Sequence, residues 1–525
     1  MFKLERSGDL LINMAPAHSI LIKNNNHLKS KNRKTTMKNS LLTFIIMTKI
    51  KNCYYLILSY CILFCACTRE PDFKITKEFA DSVKQYSYIS KFSGGMAKVT
   101  TGGKDGFIDK TGKQVIPCVY GKIENFSEGI AKVIAEGEWG FIPERGNLTL
   151  KYIGKCGFID KMGKPITPCV YDDAENFSEG TAKVKIGEKW GFIDETGKQI
   201  VPCIYEEVGY CFSERLARVK IGRKWGFVDK NGKQVIPCIY EDANNFSEGL
   251  ASVKIGGKWG FVDKNKEQVI PCIYEDANGF SEGLASVKIG GKWGFVDKNG
   301  KQVIPCIYDK GFFSPSFSEG LAVVKVGGKY GLIDKTGKQV IPCIYDYAFF
   351  QKEMIEIEIG GKWGFIDKTG KQVVPCIYDY IRSFSEGMVN VKIGEKWGFV
   401  NKNGEQVIPC IYDTDKGLFP PSFSEGLAGV KVGEKWGFID KTGKQVVPCI
   451  YDQVAWSFSE GMASVKIGKK WGFVNKNGEQ VIPCIYDNDY GLFDTFSEGL
   501  AVVKVGEKYG FVDKYGNSTF DFDKE

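Results

Sequence analysis

From about Phe92 onward, apolar and polar positions return in the same order every 34 residues or so, with about a dozen copies. In the copy that starts at Phe246, Ala251, Val253 and Ile255 alternate with Ser252 and Lys254, the period-two pattern of a half-buried strand. Gly256-Gly257 then supplies a tight hairpin turn, and residues 259–263 form a second strand. In the following copy Asp297-Lys298-Asn299-Gly300-Lys301 makes the next turn, where Asp bonds the backbone ahead of it and Gly takes a positive φ. Residues 302–308 form a third strand. Pro305 inside it cannot donate to a ladder, which places that strand at an edge.

The first strand is apolar on one face only; the other two are apolar on both. Trp259 and Phe261 oppose Val262, while Ile304, Cys306 and Tyr308 oppose Val303 and Ile307. A small meander with two apolar faces is unstable alone and has to be sandwiched between its neighbours. The sequence therefore predicts an all-β chain, a tandem array of about twelve three-stranded antiparallel units, elongated or superhelical, with a β-propeller as the alternative. The Gly after each Trp is expected to make room for a ring or backbone of the adjacent unit.

Eleven Pro-Cys pairs, with Cys at 118, 169, 203, 238, 272, 306, 343, 376, 410, 449 and 484, measure the drift between copies. Long steps before Cys343 and Cys449 fall where Gly311-Phe312-Phe313-Ser314-Pro315 and Gly417-Leu418-Phe419-Pro420-Pro421 lengthen one loop. The longest step, before Cys169, contains Trp139-Gly140-Phe141-Ile142 and then Cys156-Gly157-Phe158-Ile159, as though one hairpin were duplicated. A last unit from Phe496 stops before its Pro-Cys, and its polar end, 517–525, reads as a terminal cap.

Lys-Trp-Gly-Phe-Ile/Val-Asp-Lys, the Gly-Lys-Gln-Val-Ile-Pro that follows, and the upstream Phe-Ser-Glu-Gly-Leu-Ala resemble the bacterial WG (KWG) β-repeat family over roughly residues 92 to 520. Tyr330 and Tyr509 replace the Trp, Asp105 and Cys156 do so more drastically, and Arg215 replaces the Gly of Ser-Glu-Gly. The resemblance implies binding or display, with no shared reaction.

The start of the chain is of a different kind. Residues 53–64 form a short apolar run flanked by Lys49 and Lys51, too short for a span but right for the core of a signal peptide. Phe64-Cys65-Ala66-Cys67 looks like a lipoprotein cleavage box, with Cys67 as the lipidated N-terminus, and Met47 would start a more compact signal. The expected organisation is a signal peptide at 1–66, a linker at 67–90 and the repeat array at 91–525, in a bacterial cell envelope, facing the periplasm or on the outer membrane. Residues 1–66 hold 10 basic and 2 acidic residues, so beyond them the chain carries 61 of each. The net charge of +8 thus belongs to the precursor and gives no reason to expect nucleic acid. Both His residues, His18 and His27, also lie in that segment. Without them, Ser-His-Asp and Cys-His catalysis and Cys/His zinc sites are excluded, and no cofactor is expected.

The remaining chemistry reads as architecture. Each unit offers one Cys at one equivalent place, and sheets stacked about 10 Å apart exceed the roughly 7 Å Cα limit for a disulfide, so a small buried thiol beside Ile and Tyr is expected. Cys156 and Cys211 stand outside that pattern. The repeated Asp reads as a turn cap and the repeated Glu as a solvated or turn-stabilising residue. A Trp at one strand position in nearly every unit is packing rather than a sugar platform. Function is expected where copies differ, in the loops at 311–316, 417–422 and 488–495, whose apolar tips Phe312, Phe313, Leu418, Phe419, Leu492 and Phe493 are the candidate ligand contacts. Met354–Ile359 is the other oddity, with Glu358 where neighbouring units carry Lys. The reading is a non-catalytic, membrane-anchored protein presenting a surface to protein or glycan, with individually weak contacts multiplied along the array. A carboxylate-dependent glycan-acting enzyme and a plain spacer are the alternatives.

Overall fold

The computed structural model describes residues 73–144, 147–312, 314–351, 354–382, 384–413, 422–487 and 495–520, which belong to one compact unit; for 138–153 it describes the strands alone. Cys67, Phe313, Leu418, Phe419, Leu492 and Phe493 lie outside the described residues, as do residues 1–66.

The chain is nearly all β, a tandem succession of small antiparallel sheets. Ten of them have four strands rather than three. In most of these the extra strand is two residues long and precedes the Phe-Ser: Asp276–Ala277 pairs with Leu284–Ile289, Asp276 facing Lys288 and Ala277 facing Val287. Two residues leave no periodicity to read, so the pattern along the chain misses it. The other strands run as expected, with Asp297 Oδ1 accepting from the Asn299 and Lys301 N–H groups in the turn between the second and third long strands.

Pro305 sits in a bulge. Trp293 faces Tyr308 and Phe295 faces Ile304, so three residues on the edge strand oppose Gly294 alone. The missing side chain at Gly294 makes room for this bulge of its own sheet rather than for the adjacent unit, which corrects the sequence expectation. The bulge also turns Ile307 outward, and this residue stays 53% exposed. The sandwiching itself is as expected: Leu250, Trp259 and Phe261 of one sheet bury against Ala277, Phe280, Ala285 and Val287 of the next. The duplicated hairpin is set apart. Glu138–Glu144 and Asn147–Ile153 pair as their own two-stranded sheet, and Cys156–Asp160 takes the place beside Ile130–Ile134.

Consecutive units are clamped by their Phe-Ser-Glu-Gly turns. Ser247 Oγ donates to the Phe280 carbonyl of the next unit at 2.6 Å. Glu248 occupies the left-handed region (φ 54°), which costs a non-glycine residue about 1 kcal/mol. Its carboxylate accepts the Gly283 N–H at 2.9 Å and pairs with Lys298 at 3.1 Å, both in the next unit. The repeated Glu is therefore an inter-unit clamp: of the two sequence readings, solvated or turn-stabilising, the second is nearer, but the turn it steadies is that of the next unit.

The same clamp joins the last unit to the first. Ser497 Oγ donates to the Phe92 carbonyl at 2.7 Å, and Glu498 accepts the Gly95 N–H at 3.1 Å and meets Lys110 at 3.2 Å. Phe92 packs on Phe511 with ring centroids 5.3 Å apart. The tandem order of antiparallel sheets is as expected, and in addition the first and last units touch. Helix α1 (Lys77–Val83), within the stretch read as a linker, completes this seam. It is capped by Thr76, and its Phe79 and Val83 bury against Leu500, Val502 and Phe511 of the truncated last unit, while the Ile75 N–H donates to Asp513. The polar end that the sequence suggests as a terminal cap is thus partly packed, with Thr519 buried and its hydroxyl accepting the Phe511 N–H.

A second set of carboxylates steadies the hairpins. Asp309 accepts the Gly327 N–H at 2.9 Å and pairs with Lys292; Asp379 does likewise with Gly394 and Lys362. The paired Lys holds each of these carboxyls below its ordinary range, as Lys335 does for Glu282. A carboxylate depressed in the folded state stabilises above its unfolded pKa and loses that contribution as pH falls through the folded value. Denaturant midpoints are therefore expected to stay level from pH 7 to about 5 and to fall steadily below about pH 4. A midpoint that is unchanged at about pH 3 would show that these pairs contribute nothing.

Candidate functional site

Beside the third position of the first long strand, on the side of the next sheet, lies a slot, and this position varies widely between units. Lys132 reaches across it to the Ala174 carbonyl at 2.9 Å, and Arg218 to the Ala243 carbonyl at 2.7 Å. Lys183 lies 4.1 Å from the Trp190 ring centroid. Ser286 is buried there and accepts from Asn278 at 2.8 Å. The position is Glu356 in the Met354–Ile359 strand, where burial pushes the carboxyl up and a hydrogen bond from Gln351 opposes the shift.

In the unit that starts at Phe317 the position is Val323, and the slot opens into a cavity of about 200 Å³. Three departures coincide. Residues 310–312 form no strand where the short strand lies in other units, Tyr330 stands where most units have Trp, and the next unit begins with a longer strand, Tyr347–Gln351. Phe312 hangs over the mouth, 74% exposed, its ring near-parallel to Tyr330 (centroids 6.5 Å apart, 9° between planes) and edge-on to Tyr347 at 5.7 Å. Its N–H donates to the Tyr330 hydroxyl at 3.2 Å. Tyr347 in turn contacts Trp363 at 5.2 Å. Lys325 Nζ sits 4.8 Å from the Tyr330 centroid, and Asp309, Ser314, Ser316 and Ser318 add polar edges to an otherwise apolar lining.

Of the six candidate contacts read from sequence, Phe312 is the one among the described residues, and the structure places it at this mouth. Tyr330, Tyr347, Phe349 and Phe350 join it, and the sequence reading does not single them out as contacts. The departure of Tyr330 from Trp, 18 residues after Phe312, is the signal that could have found them. The cysteines take no part. All 13 described ones are free, and the repeated Cys is half-buried where the sequence predicts a buried thiol: Cys306 lies on the bulged edge strand, 3.7 Å from the Val287 carbonyl, with partial burial raising its pKa. Cys156, in the Trp position, is fully buried and pushed up to about 12. Trp259 and Trp293 lie in the cores between sheets.

No curated protein matches the chain. Solved structures that align with it include a eukaryotic initiation factor (10% identity, 58% of this chain and 95% of that one, TM-score 0.31) and Hsv2 of Kluyveromyces lactis (10%, 51% and 96%, 0.24). The extracellular domain of a one component system from B. thetaiotaomicron aligns at 10% identity over 83% of this chain and 75% of that one, with a TM-score of 0.22. Likenesses this distant decide nothing about the site. The family match does place the chain: eleven consecutive segments between 106 and 509, each running from one Trp-Gly position to the next, fit the WG containing repeat. The chain belongs to the WG containing repeat family.

Proposed function

We propose that this protein is a non-catalytic recognition module, held at a bacterial membrane by a lipid on Cys67, that binds a protein or glycan partner through the cleft beside Val323. The observation that carries this reading is the exposed Phe312 over a largely apolar cavity, at a place where one unit departs from an otherwise repeated plan. Large exposed aromatic groups beside a preformed cavity favour recognition. A non-catalytic role fits the use of the repeated carboxylates, which clamp units and turns. A carboxylate-dependent glycan-acting enzyme and a spacer remain the alternatives.

The test is retention of envelope proteins and of arrayed glycans on the full chain, compared with Phe312→Ala. The substitution is expected to weaken the retained interaction by about tenfold or more, because a truncated aromatic anchor costs more than about 1.4 kcal/mol. Equal retention by both chains would remove the cleft as the site, and release of shortened sugars would overturn the non-catalytic reading.

A further inference from the structure

The cavity at Val323 has the outline of a missing strand. In the preceding unit Asp276–Ala277 pairs with the first long strand, with Asp276 opposite Lys288, and the Asn278 N–H donates to the Ser286 carbonyl at 3.0 Å. The unit at Phe246 repeats this: Asp242 faces Lys254, and the Asn244 N–H donates to the Ser252 carbonyl at 2.9 Å. One residue earlier, the Glu275 and Glu241 N–H groups donate to the Lys288 and Lys254 carbonyls at 2.9 Å, and in the unit at Phe317 this contact survives, from the Asp309 N–H to the Lys325 carbonyl at 2.8 Å. Then the chain leaves. Residues 310–312 and 314–316 form no strand, and the next pairing is Phe317 with Ala322 and Ser318 with Leu321. Outside the ladder with Leu332, no backbone N–H among the described residues reaches the Val323 carbonyl. The edge of the strand at Val323, Val324 and Lys325 instead lines the cavity.

The charge register differs as well. Two preceding units set Asp242 and Asp276 opposite Lys254 and Lys288, whereas this one has Lys310 in that place, and Lys325 faces the cavity beside the Tyr330 ring with Asp309 as its acidic neighbour. An incoming strand would supply what the short strand supplies in those two units: a backbone donor at the third position and a carboxylate opposite the Lys. Its residue opposite Val323 would point into the slot, because Asn244 and Ser252, and likewise Asn278 and Ser286, join side chains on that face. Here the slot is lined by Val323, Tyr330, Ala348, Phe349 and Phe350, so that residue must be apolar.

We propose that the cleft takes an extended peptide of the form acidic–small–apolar, which adds a strand to the edge at Val323–Lys325 in the place of the missing one. The proposal rests on the recognition reading above and names the partner as polypeptide. Strand addition gives backbone hydrogen bonds for affinity and alternate side-chain pockets for selectivity. Phe312, already stacked over the mouth, closes on the apolar side chain.

The test uses the full chain and an acetylated, amidated six-residue peptide copying residues 274–279 with leucine in place of Asn278, titrated by calorimetry. Three comparisons accompany it: the same peptide N-methylated at the leucine, the same peptide with lysine for Asp276, and soluble cello- and chito-oligosaccharides. A chain in which residues 310–316 are replaced by Asp-Ala-Asn-Asn, the sequence of 242–245, rebuilds the short strand and fills the slot. The expected result is binding of the parent peptide, about tenfold or more weaker for the N-methyl and lysine peptides, and none to the rebuilt chain. Equal affinity of the N-methyl peptide would overturn strand addition. Binding of oligosaccharides but not peptides would overturn the peptide proposal and leave the recognition reading standing. No binding of either, or the same binding by the rebuilt chain, would sink both.

Discussion

Replacing Phe92 by Ala is expected to cost about 3–5 kcal/mol and to open the contact between the first and last units before any other interface loosens. Phe92 is 0% exposed and touches Phe511, and its carbonyl receives Ser497. The equivalent Phe246 makes the same contacts between interior units, with Phe227 as its ring partner and Ser213 as its donor. The truncation cost should therefore be similar; the tether is not. Ser213 and Phe246 are 33 residues apart, whereas Ser497 and Phe92 are 405 apart. Closing the longer loop costs about 2 kcal/mol more in chain entropy. Helix α1 adds packing at the seam, but the closure is costlier and the last unit is truncated, so the seam is expected to be the weakest link of the circuit. Amide exchange is the readout: in Phe92→Ala, protection should fall first in Met96–Thr101 and Leu500–Val505, while Phe246→Ala leaves these strands protected. If both variants lose protection in the same strands, the seam is not the place where the structure opens.

That seam marks the boundary of what the sequence discloses. Long strands, hairpin turns and stacking are written in local alternation, in Gly pairs and in the two apolar faces of Trp259–Phe261 and Ile304–Tyr308, so they can be read directly. Contact between the ends is not local. Phe92-Ser93 and Phe496-Ser497 look like any other copy, and nothing in a repeat states which copy follows the last. The clamp by Glu248 is hidden for a related reason: an acidic residue before Gly in a turn is ordinary on the surface, and only its reach into the next unit gives it a task. The cleft is half legible. The loop insertion and Tyr330 both stand out as departures, whereas Val323 looks unremarkable until the slot it fails to fill is seen, and the short strand that should cover it is two residues long. Of the apolar loop tips, Phe312 now has neighbours and an orientation.

The Gly of the Trp-Gly pair should be the least replaceable residue of a unit, for steric and not conformational reasons. At Gly294 the backbone is not in the left-handed region, so alanine would meet no torsional penalty. An added Cβ, however, would lie 2.6 Å from the Ile304 carbonyl oxygen and 2.7 Å from the Cys306 amide nitrogen. These are backbone atoms of the bulge that carries Pro305, fixed between the Phe295–Ile304 and Trp293–Tyr308 pairs. No side chain can rotate away. The edge strand has to move, and with it the core that Trp293 and Tyr308 share with Phe317 and Val324 of the next unit. Overpacking of this kind costs about 1–3 kcal/mol, and more where backbone must shift. Gly290, four residues earlier in the same hairpin, is the control. It lies at φ +57° with nothing within 4 Å of its Cβ position, so alanine there meets only the left-handed penalty of about 1 kcal/mol. Gly294→Ala should therefore lower the denaturant midpoint more than Gly290→Ala and change the near-ultraviolet signal of Trp293, while Gly290→Ala leaves that signal intact. The reverse order of midpoints would mean that the bulge yields easily, and that Gly follows Trp for some other reason than the crowding of Pro305-Cys306.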